Sequence, residues 1–321
     1  MAQGTIAARR TGLERVDLRL IAALAAVWIL WGSTFAAMHL AVSAIPPFAM
    51  ASIRFTIAGL VLLAVAAARR KLRVTRADLV RAVVTGATLL LFGNGMTAWT
   101  VQFLPTGLNS LLLSLAPVWM ALIAFAWGGE RPSRPAIAGM LLGFAGLALL
   151  LQSKSGGAFA LWPAIVALLA SISWAFGSIY QRRAAPAASL TVATSLQMIA
   201  GGILLGLEAA LTGEWRHVGA ASFTPESLAG LAWLIVCGSL VAYSAYLYTM
   251  QAANAALAST YAYVNPLVAV ILGMVLFRER FTPAEAIASA IILAGVALMM
   301  VPGRRFSRSA SHRCDPASAS P

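Results

Sequence analysis

The sequence predicts an all-α integral membrane protein, with ten transmembrane helices arranged as two inverted five-helix repeats. Composition is the first observation: 60% of residues are hydrophobic and only 10% are charged, with a mean hydropathy of +0.85. A soluble chain needs more polar surface than this to cover its core. Segment length is the second, because many apolar runs reach the roughly 18 to 20 residues that span hydrocarbon. The third is self-similarity. A shift of 149 positions lays Pro117 on Pro266, Glu130-Arg131 on Glu279-Arg280 and Gly146 on Gly295. A shift of 143 lays Trp31 on Trp174, Arg54 on Gln197 and Gly59 on Gly202. An odd number of spans in each half makes the two copies run upside down to one another, an arrangement of secondary transporters.

The expected segments are Leu18–Val42, Pro47–Ala68, Leu79–Phe103, Thr106–Trp127 and Pro135–Leu151 in the first half. In the second they are Leu161–Tyr180, Ser189–Leu211, Leu228–Met250, Ala255–Phe277 and Pro283–Val301. Glycines at Gly139, Gly143 and Gly146 give the fifth segment a face that lets a neighbouring backbone approach closely. The chain divides into a cytoplasmic N-terminal segment (1–17), a first repeat (18–151), a second repeat (161–301) and a basic tail (302–321) expected to be disordered and to touch anionic lipid headgroups.

Charge supports one orientation. With the N-terminus inside, 18 of the 23 Lys and Arg fall on the cytoplasmic side and four outside, leaving Arg54 within a span. This bias places both termini in the cytoplasm. A net charge of +13 would suggest nucleic acid in a soluble chain, but here it sits in loops and tails, so no nucleic-acid partner is expected. Two cysteines and three scattered histidines build neither a disulfide framework nor a metal site, and no cofactor is expected. The first segment is longer than a signal-peptide core and reads as a retained helix.

Several polar residues stand out against this apolar background. Arg54 costs free energy in a span and asks for compensation, either a substrate carboxylate or a structural partner. His39 is expected at similar depth to Arg54, and Glu208 near the outer end of its span. The three read either as one outward-facing polar cluster, with Glu208 pairing Arg54 and His39 relaying protons, or as interfacial side chains that reach water. Asn94 between Gly93 and Gly95 marks a loosened mid-helix site. Tyr261 and Asn265 share a face beside Pro266, and Pro117 has Asn109 and Ser114 nearby; each proline frees a carbonyl one turn back. Tyr243, Tyr246, Trp31, Trp99 and Trp174 are candidates for an aromatic cavity wall. Glu130-Arg131 and Glu279-Arg280 read as ion pairs that stabilise hairpins.

Some of these residues carry a resemblance. Trp31-Gly32-Ser33-Thr34-Phe35, Pro46-Pro47, Arg54-Phe55, Gly129-Glu130-Arg131 and Arg278-Glu279-Arg280 resemble the motifs of the EamA family, in the drug/metabolite transporter superfamily. Ser171-Ile172-Ser173-Trp174-Ala175-Phe176-Gly177-Ser178 and Ser259-Thr260-Tyr261-Ala262-Tyr263-Val264-Asn265-Pro266 are similar to one subgroup of it. Arg278 departs from the small or apolar residues usual at its place. The resemblance implies ten helices, inverted repeats, alternating access and frequent export of amino acids or other metabolites.

The expected protein is therefore an inner-membrane carrier of a small polar or zwitterionic metabolite, exporting it through a midplane site. Asn94, Tyr243, Tyr261 and Asn265 form that site, Arg54 and His39 its outer vestibule, and Pro117 and Pro266 its hinges. Its partners are the small-molecule substrate and the lipid bilayer; proton coupling and a homodimer stay open. Three alternatives also stay open: export of hydrophobic drugs, a membrane enzyme, and a non-transporting receptor. Ser239 and His39 differ in depth, which argues against intramembrane serine hydrolysis.

Overall fold

The structure, a computed structural model, describes residues 18–70, 74–128, 132–153, 161–184, 189–252, 260–280 and 282–299. The expected terminal segments, Glu130-Arg131 and the start of the ninth segment lie outside the described residues. In chain order the helices are α1 (Leu18–Val42), α2 (Pro47–Ala68), α3 (Arg76–Thr100), α4 (Thr106–Ala126), α5 (Arg134–Leu150), α6 (Leu161–Arg183), α7 (Leu190–Leu211), α8 (Pro225–Tyr246), α9 (Tyr261–Phe277) and α10 (Pro283–Met299). Seven of them, α1 to α4 and α6 to α8, are long and apolar enough to cross a membrane, whereas α5, α9 and α10 are apolar but shorter. Among the described residues no strand is present.

Local chemistry sets the helix ends. Helix α3 begins three residues earlier than the hydrophobic pattern implied, because Thr75 and Asp78 form a reciprocal capping box around Arg76. Helix α8 likewise starts at Pro225, where the Thr224 side chain accepts from the Ser227 amide. Hydrophobicity alone missed these starts because the first turn of each helix is polar. Three stretches widen to π-helical geometry: Val27–Trp31 in α1, Gly86–Gly95 in α3 and Leu234–Val241 in α8. Such widening leaves backbone groups less tightly paired and recurs at functional sites.

The packing follows a two-fold pattern. Helix α2 packs on α7 and α5 on α10, the counterparts in the two halves. Helix α1 packs against α8 and α9, just as α6 packs against α3 and α4. Where counterparts meet they run antiparallel: Gly59 faces Ile199, Thr56 faces Gly202 and Ser52 faces Gly206 along α2 and α7. Ser52 Oγ seals this seam by donating to the Gly202 carbonyl at 2.8 Å. Along α5 and α10, Gly139 lies against the backbone of Gly295 while Gly146 lies against Ile292. Glycine brings the axes close enough for dispersion contacts between backbones, which substitute in lipid for the missing hydrophobic drive.

Candidate substrate cavity

Helices α1 to α4, α6, α7, α8 and α9 enclose a cavity of about 140 Å³. That is about ten times the minimum needed to hold one water, roughly 10–15 Å³, so the space is large enough for a small metabolite. Along α1, Trp31, Thr34, Phe35 and Met38 face it at helical spacing. The expected residues Arg54, Asn94, Tyr243, Tyr261 and Asn265, with Pro117 and Pro266, all line this one space.

Arg54 is 4% exposed. Its Nε donates to Ser239 Oγ at 2.9 Å, and its guanidinium lies 4.6 Å from the Phe55 ring centroid. A Cβ on Gly238 would fall 3.1 Å from Nη2, so the absence of a side chain there makes room for the guanidinium. Among the described residues no carboxylate pairs with it. The one ion pair recorded among them joins Arg81 and Asp78 at the start of α3. The expected pairing with Glu208 is therefore not built; Glu208 lies near Glu214, outside this cavity. Nor is Arg54 part of a separate vestibule, because its long side chain reaches the π-helical stretch of α8 and joins the common space.

His39 does not line the cavity. It is one residue on from Met38, about 100° around the helix, and its ring packs 4.4 Å from that of Phe277 at the end of α9. Trp99 is also displaced, packing 4.7 Å from Phe103 rather than on the cavity wall.

The aromatic wall of Trp31, Tyr243 and Tyr261 is a mutual cluster, with Tyr246 packed against it but not lining the cavity. Trp31 lies 5.0 Å from Tyr246, 5.4 Å from Tyr261 edge-on and 6.2 Å from Tyr243. Trp31 Nε1 donates to the Gly238 carbonyl at 3.1 Å, tying this cluster to the stretch that holds Arg54. Trp174, the counterpart of Trp31, faces the same space from α6.

The remaining polar groups are mostly acceptors. Thr34, Thr97, Ser110 and Ser114 spend their hydroxyl protons on carbonyls three or four residues back, leaving oxygen lone pairs free. Asn94 Nδ2 donates to the Leu89 carbonyl at 3.2 Å, five residues back, which the π-helical geometry permits. Asn265 Oδ1 is buried with no hydrogen-bond partner. Pro117 sits just after the break at Ser114-Leu115, and the Leu113 carbonyl it leaves free meets Ser171 Oγ at 3.5 Å. Pro266 lies inside α9 and returns no N–H to the Ala262 carbonyl. Sequence reasoning missed the roles of Thr34, Gly238 and Ser239, since small residues in apolar runs carry no signal of their own.

The fold is thus a helical membrane bundle with two-fold internal pairing around a central, mostly apolar cavity that carries Arg54 and a few hydrogen-bonding groups. The EamA-like transporter family profile matches residues 18–152 and 161–301, and the chain belongs to that family. It is 34% identical over 285 residues to the uncharacterized inner membrane transporter YedA of Escherichia coli, covering 88% of this chain and 90% of the relative. The uncharacterized transporter YvbV of Bacillus subtilis is 25% identical over 86% of this chain and 90% of its own length. A probable terminal-alkyne amino-acid exporter of Streptantibioticus cattleyicolor is 26% identical, over 85% and 93% respectively. A solved structure described only as that of a protein shares the fold, with a TM-score of 0.63 and 23% identity over 90% of this chain and 98% of that one. Membership makes the chain a transporter rather than an enzyme.

Proposed function

We propose that this protein exports, by alternating access, a small polar metabolite of amino-acid size that carries a carboxylate. It does so from a bacterial inner membrane, through ten spans in two inverted halves (18–151 and 161–301). Both termini are cytoplasmic. The antiparallel packing of α2 on α7 and α5 on α10 supports inversion, and the concentration of Lys and Arg on alternate loops supports the orientation. A relative whose name describes amino-acid export supports a small, carboxylate-bearing substrate, and leaves the charge of its other end open.

The observation that carries the reading is Arg54, a buried guanidinium on the cavity with no carboxylate partner among the described residues. A substrate carboxylate compensates its desolvation and matches its planar fork. Asn94, Tyr243, Tyr261 and Asn265 shape the rest of the site, with Pro117 and Pro266 as its hinges. His39 stands outside this site and is not assigned to substrate. Export of hydrophobic drugs is the second reading, favoured by the Trp31-Tyr243-Tyr246-Tyr261 cluster. Lipophilic cations, however, are repelled by Arg54.

Metabolite profiling of medium and cells tests the proposal, comparing overexpression of the intact protein with that of an Arg54→Ala, Asn94→Ala double variant. A carboxylate enriched in the medium and depleted in cells only with the intact protein is the expected result. Identical profiles, with both proteins folded in the membrane, count against metabolite export.

A further inference from the structure

We infer that the cavity selects substrates by net charge, preferring a carboxylate of net charge −1 with a neutral hydrogen-bond donor over the zwitterion of the same shape. This rests on the reading that Arg54 receives the carboxylate, and it narrows the substrate class. A 2-hydroxy acid or an N-acylated amino acid fits this description; the corresponding free amino acid is the disfavoured form.

The argument is one of charge and of donor and acceptor counts. Among the described cavity residues Arg54 is the only one bearing a formal charge. Its Nε is held by Ser239, which leaves the two Nη groups for a ligand. A carboxylate binding there brings the buried charge of the site to zero. An ammonium on the same substrate restores an uncompensated positive charge, because no Asp or Glu among the described residues lines the cavity. A buried ammonium met only by neutral acceptors and aromatic rings keeps part of its desolvation penalty, since neither supplies a counter-charge.

The acceptors are nevertheless there to be used. Asn265 Oδ1 is buried and unpaired, and the oxygens of Thr34, Thr97, Ser110 and Ser114 have already given their protons to backbone carbonyls. A site with one cationic fork and several neutral acceptors is matched by one anion and one or more neutral O–H or N–H donors. A neutral hydroxyl or amide donor can use any of these acceptors without importing a charge, and the rings of Trp31, Tyr243 and Tyr261 on the same cavity suit the apolar remainder. Ser239 acts as a positioning residue, since it fixes which edge of the guanidinium is presented.

The test uses the full chain in lipid nanodiscs and ligand-induced shifts in thermal unfolding, converted to apparent affinities. The probes are matched triads of 2-hydroxy acid, 2-amino acid and 2-amino-acid amide, with leucine, phenylalanine and serine side chains, at neutral pH. The expected result is that the hydroxy acids bind at least about 10-fold tighter than the amino acids, with no binding by the amides. Arg54→Gln is expected to erase binding of both acids. Ser239→Ala keeps the charge but frees the guanidinium, and it should weaken hydroxy and amino acids by a similar few-fold factor, leaving their ratio intact. An amino acid binding as tightly as its hydroxy analogue, with both lost in Arg54→Gln, overturns the charge preference and leaves carboxylate recognition standing. Preference for the amides, or no binding by any probe, overturns both readings. Should Arg54→Gln fail to fold, the ratio in the unmodified protein alone decides the charge preference.

Discussion

Glu279, in the short connection between α9 and α10, accepts hydrogen bonds from the Thr106 amide at 2.7 Å and from Thr106 Oγ1 at 2.8 Å. Its other oxygen accepts from the Gly107 amide at 3.4 Å. A carboxylate of the second half thus caps the N-terminus of α4 in the first, where free amides and the helix dipole favour negative charge. At the opposite end of α4, Arg183 Nη1 donates to the Trp127 carbonyl at 2.6 Å, with its guanidinium 5.2 Å from the Trp127 ring centroid. Both charges complement the polarity of the helix they close. The expected ion pair of Glu279 with Arg280 is replaced by this cap, because unpaired amides within a bundle are stronger claimants than an exposed arginine.

Glu279→Ala removes the cap and leaves two amides unpaired. The expected loss is about 1–2 kcal/mol, seen as a lower unfolding midpoint in nanodiscs. Glu279→Gln, which keeps an acceptor oxygen, should lose less, whereas Arg280→Ala should be close to neutral.

Arg54→Lys preserves the charge but loses the planar fork and the Ser239 contact. Export is expected to fall by about 10- to 100-fold, measured as substrate flux from loaded vesicles. Stability should fall slightly, because the ammonium keeps the buried charge, is more strongly hydrated than a guanidinium and loses the Ser239 contact. Unchanged flux would remove Arg54 from substrate recognition.

Asn265→Leu exchanges an amide for an apolar group of similar shape. Its buried Oδ1 has no partner, so the midpoint should be unchanged or higher. Flux should drop about 10-fold, the worth of one substrate hydrogen bond. A drop in both would mean that the amide serves the fold instead.

Gly295→Ala tests the α5–α10 seam. The added Cβ would lie 2.6 Å from the Gly139 carbonyl oxygen and 2.7 Å from the Gly143 nitrogen, both backbone atoms that cannot turn aside. Separation of the helices should cost about 1–3 kcal/mol. Gly219→Ala, with nothing within 4 Å of the new atom, is the neutral control.

Glu214, in the connection between α7 and α8, gives a pH dependence. Its Oε2 accepts from the Ala49 amide at 2.8 Å, at the start of α2. Burial pushes its carboxyl above the ordinary 4.5, with hydrogen bonds from the Ala49 and Phe48 amides opposing. A raised carboxyl favours the protonated form in the fold. The stability it contributes is therefore present below the ordinary value and is lost as pH rises through the raised one. Relative to Glu214→Gln, the midpoint of the unmodified protein should fall as pH goes from about 4 to about 7. A difference that is flat or grows with pH would contradict this.

The candidate site was legible where a polar or helix-breaking residue interrupts an apolar run. Asn94, Tyr243, Tyr261, Asn265, Pro117 and Pro266 were marked in this way, and the structure gathers them on one cavity. The glycines around Asn94 announced a loosened helix, which is the π-helical stretch Gly86–Gly95. Gly238 and Ser239 were mute, since their task is to leave space for Arg54 and to hold its Nε, and both depend on a partner 185 or so positions away. His39 and Trp99 were misplaced because depth along a helix is readable from sequence, but rotation about its axis in a bundle is much less so.

The sequence by itself determined a helical membrane transporter with two related halves, because apolar length, repeated Pro and Gly positions and charge asymmetry are properties of local segments. Tertiary structure alone decided the partners: Arg54 with Ser239 rather than Glu208, Glu279 with Thr106 rather than Arg280, and His39 against Phe277 rather than in the site. The physical reason is that in a bundle each buried polar group competes for donors and acceptors brought together from distant segments. Which of them comes within reach depends on helix rotation and on close approach at glycines, and neither is encoded in any single segment.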